Sequence, residues 1–148
     1  MQEAMLAFFH FSAILGWVVF ASSQAALCRG GWINAAAVHR LVRLDAISWL
    51  ASAAVLLTGL ARIQWGAKGA AWYWSNPLLY LKLALLALAL LLMAGATRRY
   101  RRWRADLDAG LPLPPDAQVR AARLRVMIAT HLIAVIPLAA VLMARGYG

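Results

Sequence analysis

The longest apolar stretch of the chain covers residues 78–96, and Tyr80 and Lys82 are its only strongly polar side chains. A helix of about nineteen residues rises roughly 28 Å, which matches the hydrocarbon core of a bilayer. Three further apolar runs flank it in the sequence. The pattern predicts an all-α integral membrane protein, a four-helix bundle that forms a single domain over residues 1–148. We expect its helices at about 4–27, 45–62, 77–104 and 117–145.

Local signals refine the helix ends. Asn76 followed by Pro77 is typical of a helix start, with asparagine as N-cap and proline at the first helical position. Residues 34–44 read as a short amphipathic segment at the membrane interface. Asp45 would then begin the second membrane helix, where the helix dipole and Arg40 or Arg43 would satisfy its charge.

The distribution of arginines between the two sides predicts the orientation of the protein in the membrane. The connections between the first and second helices and between the third and fourth, with their helix ends, hold eleven arginines, whereas the other side has Arg62, Lys68 and Arg145. Cytoplasmic loops carry the excess of positive charge, so we expect the arginine side in the cytoplasm of a bacterial inner membrane and both termini on the periplasmic side. The eleven are Arg29, Arg40, Arg43, Arg98, Arg99, Arg101, Arg102, Arg104, Arg120, Arg123 and Arg125.

The net charge of +10 also bears on partners. In a soluble protein it would suggest nucleic acid, but here the arginines flank apolar runs. Anionic lipid headgroups explain them more simply, so we expect the bilayer and not nucleic acid as the partner. Other membrane subunits or a second copy of the chain remain open.

Ionisable side chains inside a bilayer are costly and are therefore candidates for function. His10 and Lys82 lie about 9 Å and 8 Å below the outer ends of their predicted helices. Arg62 and Arg145 end the other two helices on the same side. Each helix thus contributes one basic group, and such a set can hold an anionic ligand such as a carboxylate or a haem propionate.

His10 and Trp17 are seven residues apart and share one helix face. A neutral imidazole is a good metal ligand, and an indole beside it offers an apolar wall to a flat cofactor. His10 is therefore a candidate ligand to haem iron. The alternatives are an interfacial His10 with Lys82 reaching toward the headgroups, or a copper site.

His131 is the third ionisable residue in an apolar run, about 11 Å below the level of His10. The two are poorly placed as axial ligands of one haem, so His131 is only a weak metal candidate. We expect its ring to bond a neighbouring helix, for example Ser52, or a carbonyl.

Nearly the whole chain resembles a family of uncharacterised bacterial membrane proteins, which implies no function. The matching residues are Arg43-Leu44-Asp45, Thr58-Gly59-Leu60, Arg62, Gly66, Lys68-Gly69, Tyr73, Asn76-Pro77, Lys82, Thr97, Trp103, Pro137 and Met143-Ala144-Arg145-Gly146.

About half of the chain also resembles HemJ-type protoporphyrinogen oxidases and the membrane domain of copper-resistance protein D. The similar features are a His followed by Trp seven residues later, as His10 and Trp17 are here, and a Lys-Leu-x-Leu context in the third helix at Lys82. That resemblance implies a haem ligand at His10 and a propionate or substrate contact at Lys82. The HemJ type has a further His two residues before that lysine, where this sequence has Tyr80.

Three functions follow as hypotheses. The first is a protein that binds haem b or a porphyrin in the outer half of the bundle, through His10, Trp17, Arg62, Tyr80, Lys82 and Arg145, and that is redox active. The second is a non-catalytic subunit or assembly factor of a larger membrane complex. The third is a copper or small-ion permease. Whether the protein is an enzyme stays open.

Overall fold

The computed structural model describes residues 1–66 and 68–147, and the described chain is almost wholly helical. Four helices are long and apolar enough to cross a membrane, which confirms the predicted fold. The helices are α1 at Gln2–Leu27, α2 at Ala35–Trp65, α3 at Ala70–Ser75, α4 at Pro77–Asp108 and α5 at Asp116–Ala144.

The four long helices form a closed ring in the order α1, α2, α4, α5, and each packs against its two neighbours. Chain direction alternates along this order, so both termini lie at one end of the bundle, the terminal end. The connections that carry most of the arginines lie at the opposite end, the arginine end. The short helix α3 contacts α2 and α4 at the terminal end.

Small residues allow α1, α4 and α5 to approach their neighbours closely. Ala21, Ala89, Ala96, Ala122 and Ala129 are buried in the main core, one or two on each of three helices. Alanine at a helix contact brings two backbones close together, which is the usual basis of packing between membrane helices. A second, smaller cluster at the terminal end consists of Ile63, Leu79 and Met143.

The start of the second membrane helix was predicted wrongly. Helix α2 begins at Ala35 and runs without a break to Trp65, so there is no separate amphipathic segment. Asn34 caps it, because the Asn34 side chain accepts a hydrogen bond from the backbone N–H of Ala37. Helix α2 thus begins ten residues before the expected start at Asp45, since Arg40 and Arg43 are compatible with a helix that extends beyond the bilayer.

Asp45 is consequently a mid-helix residue and not a helix-terminal acid. Its side chain is 3% exposed, and its carboxylate oxygen Oδ1 lies 2.9 Å from the hydroxyl of Thr97 on α4. The indole N–H of Trp49 donates to the same hydroxyl at 2.9 Å. Neither Arg40 nor Arg43 forms an ion pair with Asp45. The acid therefore belongs to a buried contact between α2 and α4.

The other helix ends agree more closely with the sequence. The Asn76 side chain caps α4 by accepting from the N–H of Leu78, as predicted. Helix α4 continues to Asp108, supported by an Arg104–Asp108 ion pair at 3.7 Å. Helix α5 ends at Ala144, one residue before the predicted end.

Candidate functional site

A cavity of about 290 Å³ lies inside the terminal half of the bundle, between the main core and the smaller cluster. Four residues belong to both the main core and the cavity wall, so they separate the cavity from the arginine end. They are Ile14, Trp17, Val55 and Ile133. Most of the lining is apolar, with Trp17 itself only 1% exposed. The charged and hydrogen-bonding side chains that line it are few and come from α1, α2, α4 and the connection between α2 and α4.

His10 lines this cavity, and its hydrogen bond to Thr58 indicates the tautomer of the ring. Its Nδ1 lies 2.8 Å from the hydroxyl oxygen of Thr58 on α2. That hydroxyl is 2.6 Å from the carbonyl oxygen of Ala54, which can only accept, so the single Thr58 proton points there. We therefore assign Nδ1 as the donor to Thr58. In the neutral ring Nε2 keeps its lone pair, which is the form that accepts a proton or ligates a metal.

Gly59 lacks a side chain, which leaves space on α2 for the imidazole of His10. A methyl group at this position would come within 3.3 Å of the imidazole Cε1, which is tighter than ordinary packing. Thr58 and Gly59 therefore act together: the first residue bonds the ring and the second lets it approach the helix. A glycine inside a membrane helix often marks this kind of close contact.

Three cations converge on the cavity, Arg62 from α2, Lys68 from the following connection and Lys82 from α4, together with the carboxylate of Glu3. With a neutral His10, the ionised groups of the lining sum to a positive charge. In the part of the chain that the structure describes, none of these four groups forms an ion pair within the protein. The cavity is thus electropositive and apolar at once.

The three cations are held differently. Lys68 donates to the backbone carbonyl of Met143 at 3.3 Å, and its ammonium lies 3.9 Å from the centre of the Trp72 ring. The Arg62 guanidinium lies 5.8 Å over the ring of Phe11. The closest acceptor of the half-buried Lys82 ammonium is the thioether sulfur of Met143, at 4.0 Å. Since sulfur is a weak acceptor, the Lys82 ammonium keeps unused capacity for an anionic partner.

A family model described as "Predicted membrane protein (DUF2214)" matches residues 2–148, practically the whole chain. The chain belongs to the DUF2214 family. No curated protein and no solved structure matches it significantly. The family description confirms the membrane assignment and gives no activity, so the site has to be interpreted from its own geometry.

Two residues that the sequence grouped with this site lie outside the cavity of this family member. Tyr80 is 53% exposed, and its hydroxyl donates to the carbonyl of Trp74. Residues two apart on a helix point about 200° apart, so Tyr80 and Lys82 cannot face the same side. Arg145 follows the last residue of α5 and is exposed. Arg62, which lies within α2, does line the cavity.

His131 also points away from the cavity. It is exposed, and its Nδ1 lies 2.7 Å from the carbonyl oxygen of Met127 one turn earlier in α5. The expected carbonyl partner is therefore present, but the suggested bond to Ser52 is wrong, because the exposed His131 contacts a carbonyl of its own helix. His131 precedes the cavity residue Ile133 by two positions, which again places it on the opposite face.

Glu3 was not predicted as a site residue, although the seven-residue spacing that groups His10 with Trp17 also includes it. Glu3 precedes His10 by seven residues, as His10 precedes Trp17, so all three share one face of α1. Gly59, Lys68 and Met143 carried no comparable signal, because their place in the wall depends on how the helices rotate against each other.

Cys28 is the single cysteine and lies just beyond α1 at the arginine end, far from the cavity. It is fully buried, and its Sγ contacts the carbonyl of Val119 at 3.6 Å. Burial raises the pKa of the thiol above its ordinary value. Cys28 is therefore a packed structural residue and a poor nucleophile at neutral pH.

Proposed function

We propose that the cavity binds a lipophilic anion with a flat apolar body, and that haem b or a porphyrin is this ligand. The observation that carries the proposal is the meeting of Lys82, Arg62 and a His10 with a free Nε2 on one apolar cavity. Each of these groups has unused binding capacity toward a ligand that combines carboxylates, an apolar ring and a metal ion.

The residues present suit such a ligand. His10 Nε2 would ligate the iron, with Thr58 as the outer partner that holds the ring, an arrangement common to metal-binding histidines. Lys82 and Arg62 would bind the propionates by charge-assisted hydrogen bonds. Trp17 and the aliphatic walls would cover the macrocycle and exclude water. Haem b, when bound, supplies one-electron redox chemistry.

The size of the cavity limits how deeply the ligand enters. Small-molecule sites typically measure about 300–1,000 Å³, so 290 Å³ is at the lower end. A macrocycle would place one part of its ring against Trp17 and leave the rest between the helices toward the terminal end.

We propose further that the arginine end faces the cytoplasm of a bacterial inner membrane and that the cavity lies in the periplasmic half. The support is the excess of eleven arginines over three cationic residues. Single cysteines at Gln2 or Leu111, introduced into a Cys28→Ser chain, should report it. A membrane-impermeant maleimide should label the first in intact spheroplasts and the second only after lysis.

The binding proposal is tested by titrating the purified protein in detergent with ferric haem and with metal-free protoporphyrin. Saturable binding of one ligand per chain is expected for both, with tighter binding of the iron form because of His10. Absence of saturable binding of either probe would refute the proposal. A single protein partner recovered in equal amount, with no porphyrin bound, would favour the subunit or assembly-factor alternative.

A further inference from the structure

A second concave region lies at the arginine end, between the last turn of α1 and the beginning of α2. It is a groove of about 480 Å³, more open than the cavity and far from it. Its lining combines short or aliphatic side chains with two arginines and one tryptophan. The lining residues are Ser23, Ala26, Leu27, Trp32, Arg40, Arg43 and Leu44.

Arg40 and Arg43 form the polar end of the groove. They are three residues apart on α2, so both guanidinium groups project from the same helix face. Both are exposed, and neither takes part in an ion pair, since Arg104–Asp108 is the single such pair among the described residues. The two cations can therefore hold one phosphate between them, for which the planar guanidinium is well suited.

The continuity of α2 is what makes this pair a site. Because α2 begins at Ala35, Arg40 and Arg43 stand in its second and third turns on a rigid helix that leads directly into the bilayer. In the amphipathic segment that the sequence suggested, their position relative to the membrane helices would not be fixed.

The groove changes from polar to apolar in one direction along the same helix face. Leu44 follows Arg40 by four residues, and the exposed Ile47 and Leu50 follow farther into the membrane span. On the α1 side, Ala26 and Leu27 complete the apolar wall. An occupant that fills the groove would therefore combine a phosphate with a hydrocarbon chain that runs toward the bilayer centre.

Trp32 and Arg29 flank the headgroup end. Trp32 is 65% exposed, and the Arg29 guanidinium lies 5.6 Å over its ring. Tryptophan prefers the boundary between headgroups and acyl chains, so its position marks this level in the groove. A third arginine at the same level adds to the attraction for an anion.

We propose that this groove binds one anionic glycerophospholipid of the surrounding leaflet, with its phosphate on Arg40 and Arg43 and an acyl chain along Leu27 and Leu44. This is a discrete site and not only the general attraction of basic residues to anionic membranes. It does not depend on the ligand of the cavity.

Native mass spectrometry of the detergent-solubilised protein tests the site, with equimolar phosphatidylglycerol and phosphatidylcholine of identical acyl chains. The parent should retain one phosphatidylglycerol and little phosphatidylcholine. The variant Arg40→Gln/Arg43→Gln should bind phosphatidylglycerol roughly 30-fold more weakly, from about 1 kcal/mol per arginine. The control Arg98→Gln/Arg102→Gln loses the same charge from the exposed surface of α4 and should bind like the parent.

A second pair of variants tests the apolar part without changing charge. Ala26→Phe fills the groove from its exposed wall, whereas Ala46→Phe adds the same ring to the exposed surface of α2 outside the groove. Ala26→Phe should lose the retained lipid and Ala46→Phe should keep it, with unchanged helicity in both. Equal retention of the two lipids by the parent, equal losses in the two arginine variants, or retention in Ala26→Phe would each overturn the proposal.

Discussion

The imidazole Nδ1 of His10 lies 2.8 Å from the hydroxyl of Thr58, across the contact between α1 and α2. The Thr58 proton is engaged by the carbonyl of Ala54, so Thr58 receives the Nδ1 proton and leaves Nε2 available. One hydrogen bond thus orients the histidine on which the binding proposal depends and favours the tautomer with a free Nε2.

Replacing Thr58 with valine should weaken haem binding about 10- to 100-fold, the usual cost of losing an outer partner of a ligating histidine. Valine keeps the shape of the side chain but cannot accept from Nδ1. Titration with ferric haem measures the effect. Thr58→Ser retains the hydroxyl and should bind like the parent, and equal affinity of the valine variant would show that this bond does not matter.

Two glycine-to-alanine substitutions distinguish the effect of His10 packing on haem affinity from the effect of helix propensity on stability. Alanine favours a helix over glycine by about 1 kcal/mol. Gly16→Ala meets no atom within 4 Å, so it should raise the thermal unfolding temperature and leave binding unchanged. Gly59→Ala meets the imidazole at 3.3 Å and should lower haem affinity. If both variants bind haem equally, His10 does not need its present position.

Removing the charge of Lys82 should spare membrane insertion and weaken the binding of carboxylate ligands. Lys82→Met should insert normally, because loss of a charge eases partition into the bilayer. It should bind protoporphyrin about tenfold more weakly, as expected for a charge-assisted hydrogen bond.

The matched control for this charge is Arg145→Met, which lies outside the cavity and should bind protoporphyrin like the parent. Protoporphyrin dimethyl ester, which has no carboxylate, should bind the parent and Lys82→Met equally. An ester that still discriminates between the two proteins would mean that Lys82 acts in another way.

Removing a hydroxyl should lower stability more at the buried contact between α2 and α4 than at a hydrogen bond within a single helix. Thr97→Val leaves Asp45 Oδ1 and the indole N–H of Trp49 without their partner, at a cost of about 1–3 kcal/mol. Thr130→Val removes only a bond within α5. Thermal unfolding in detergent should show a clear decrease for the first variant alone, and equal melting would exclude a structural role of the contact.

The sequence predicted the membrane helices well because their apolar length is a property of each segment alone. It misplaced the start of α2, since Arg40 and Arg43 suggested an interface although a helix can carry them beyond the bilayer. Because of this error, Asp45 was predicted at the start of a helix, whereas it lies in the middle of α2. Its actual partner Thr97 is 52 residues away, and no local pattern indicates such a contact.

Part of the residue group that the sequence suggested lines one cavity. The grouping of His10 and Trp17 rested on helical spacing, and both line the cavity. The same spacing excludes Tyr80 from the face of Lys82 and would have added Glu3. The contributions of Thr58 and Met143 depend on the rotation of neighbouring helices, which single-helix periodicity does not determine.

The absorption spectrum of the purified protein tests the central proposal most directly. Protein from haem-replete cells should show a Soret band that is lost in His10→Ala and kept in His131→Ala, a histidine that faces away from the cavity. A colourless parent protein, or a Soret band that persists in His10→Ala, would contradict a haem site at His10.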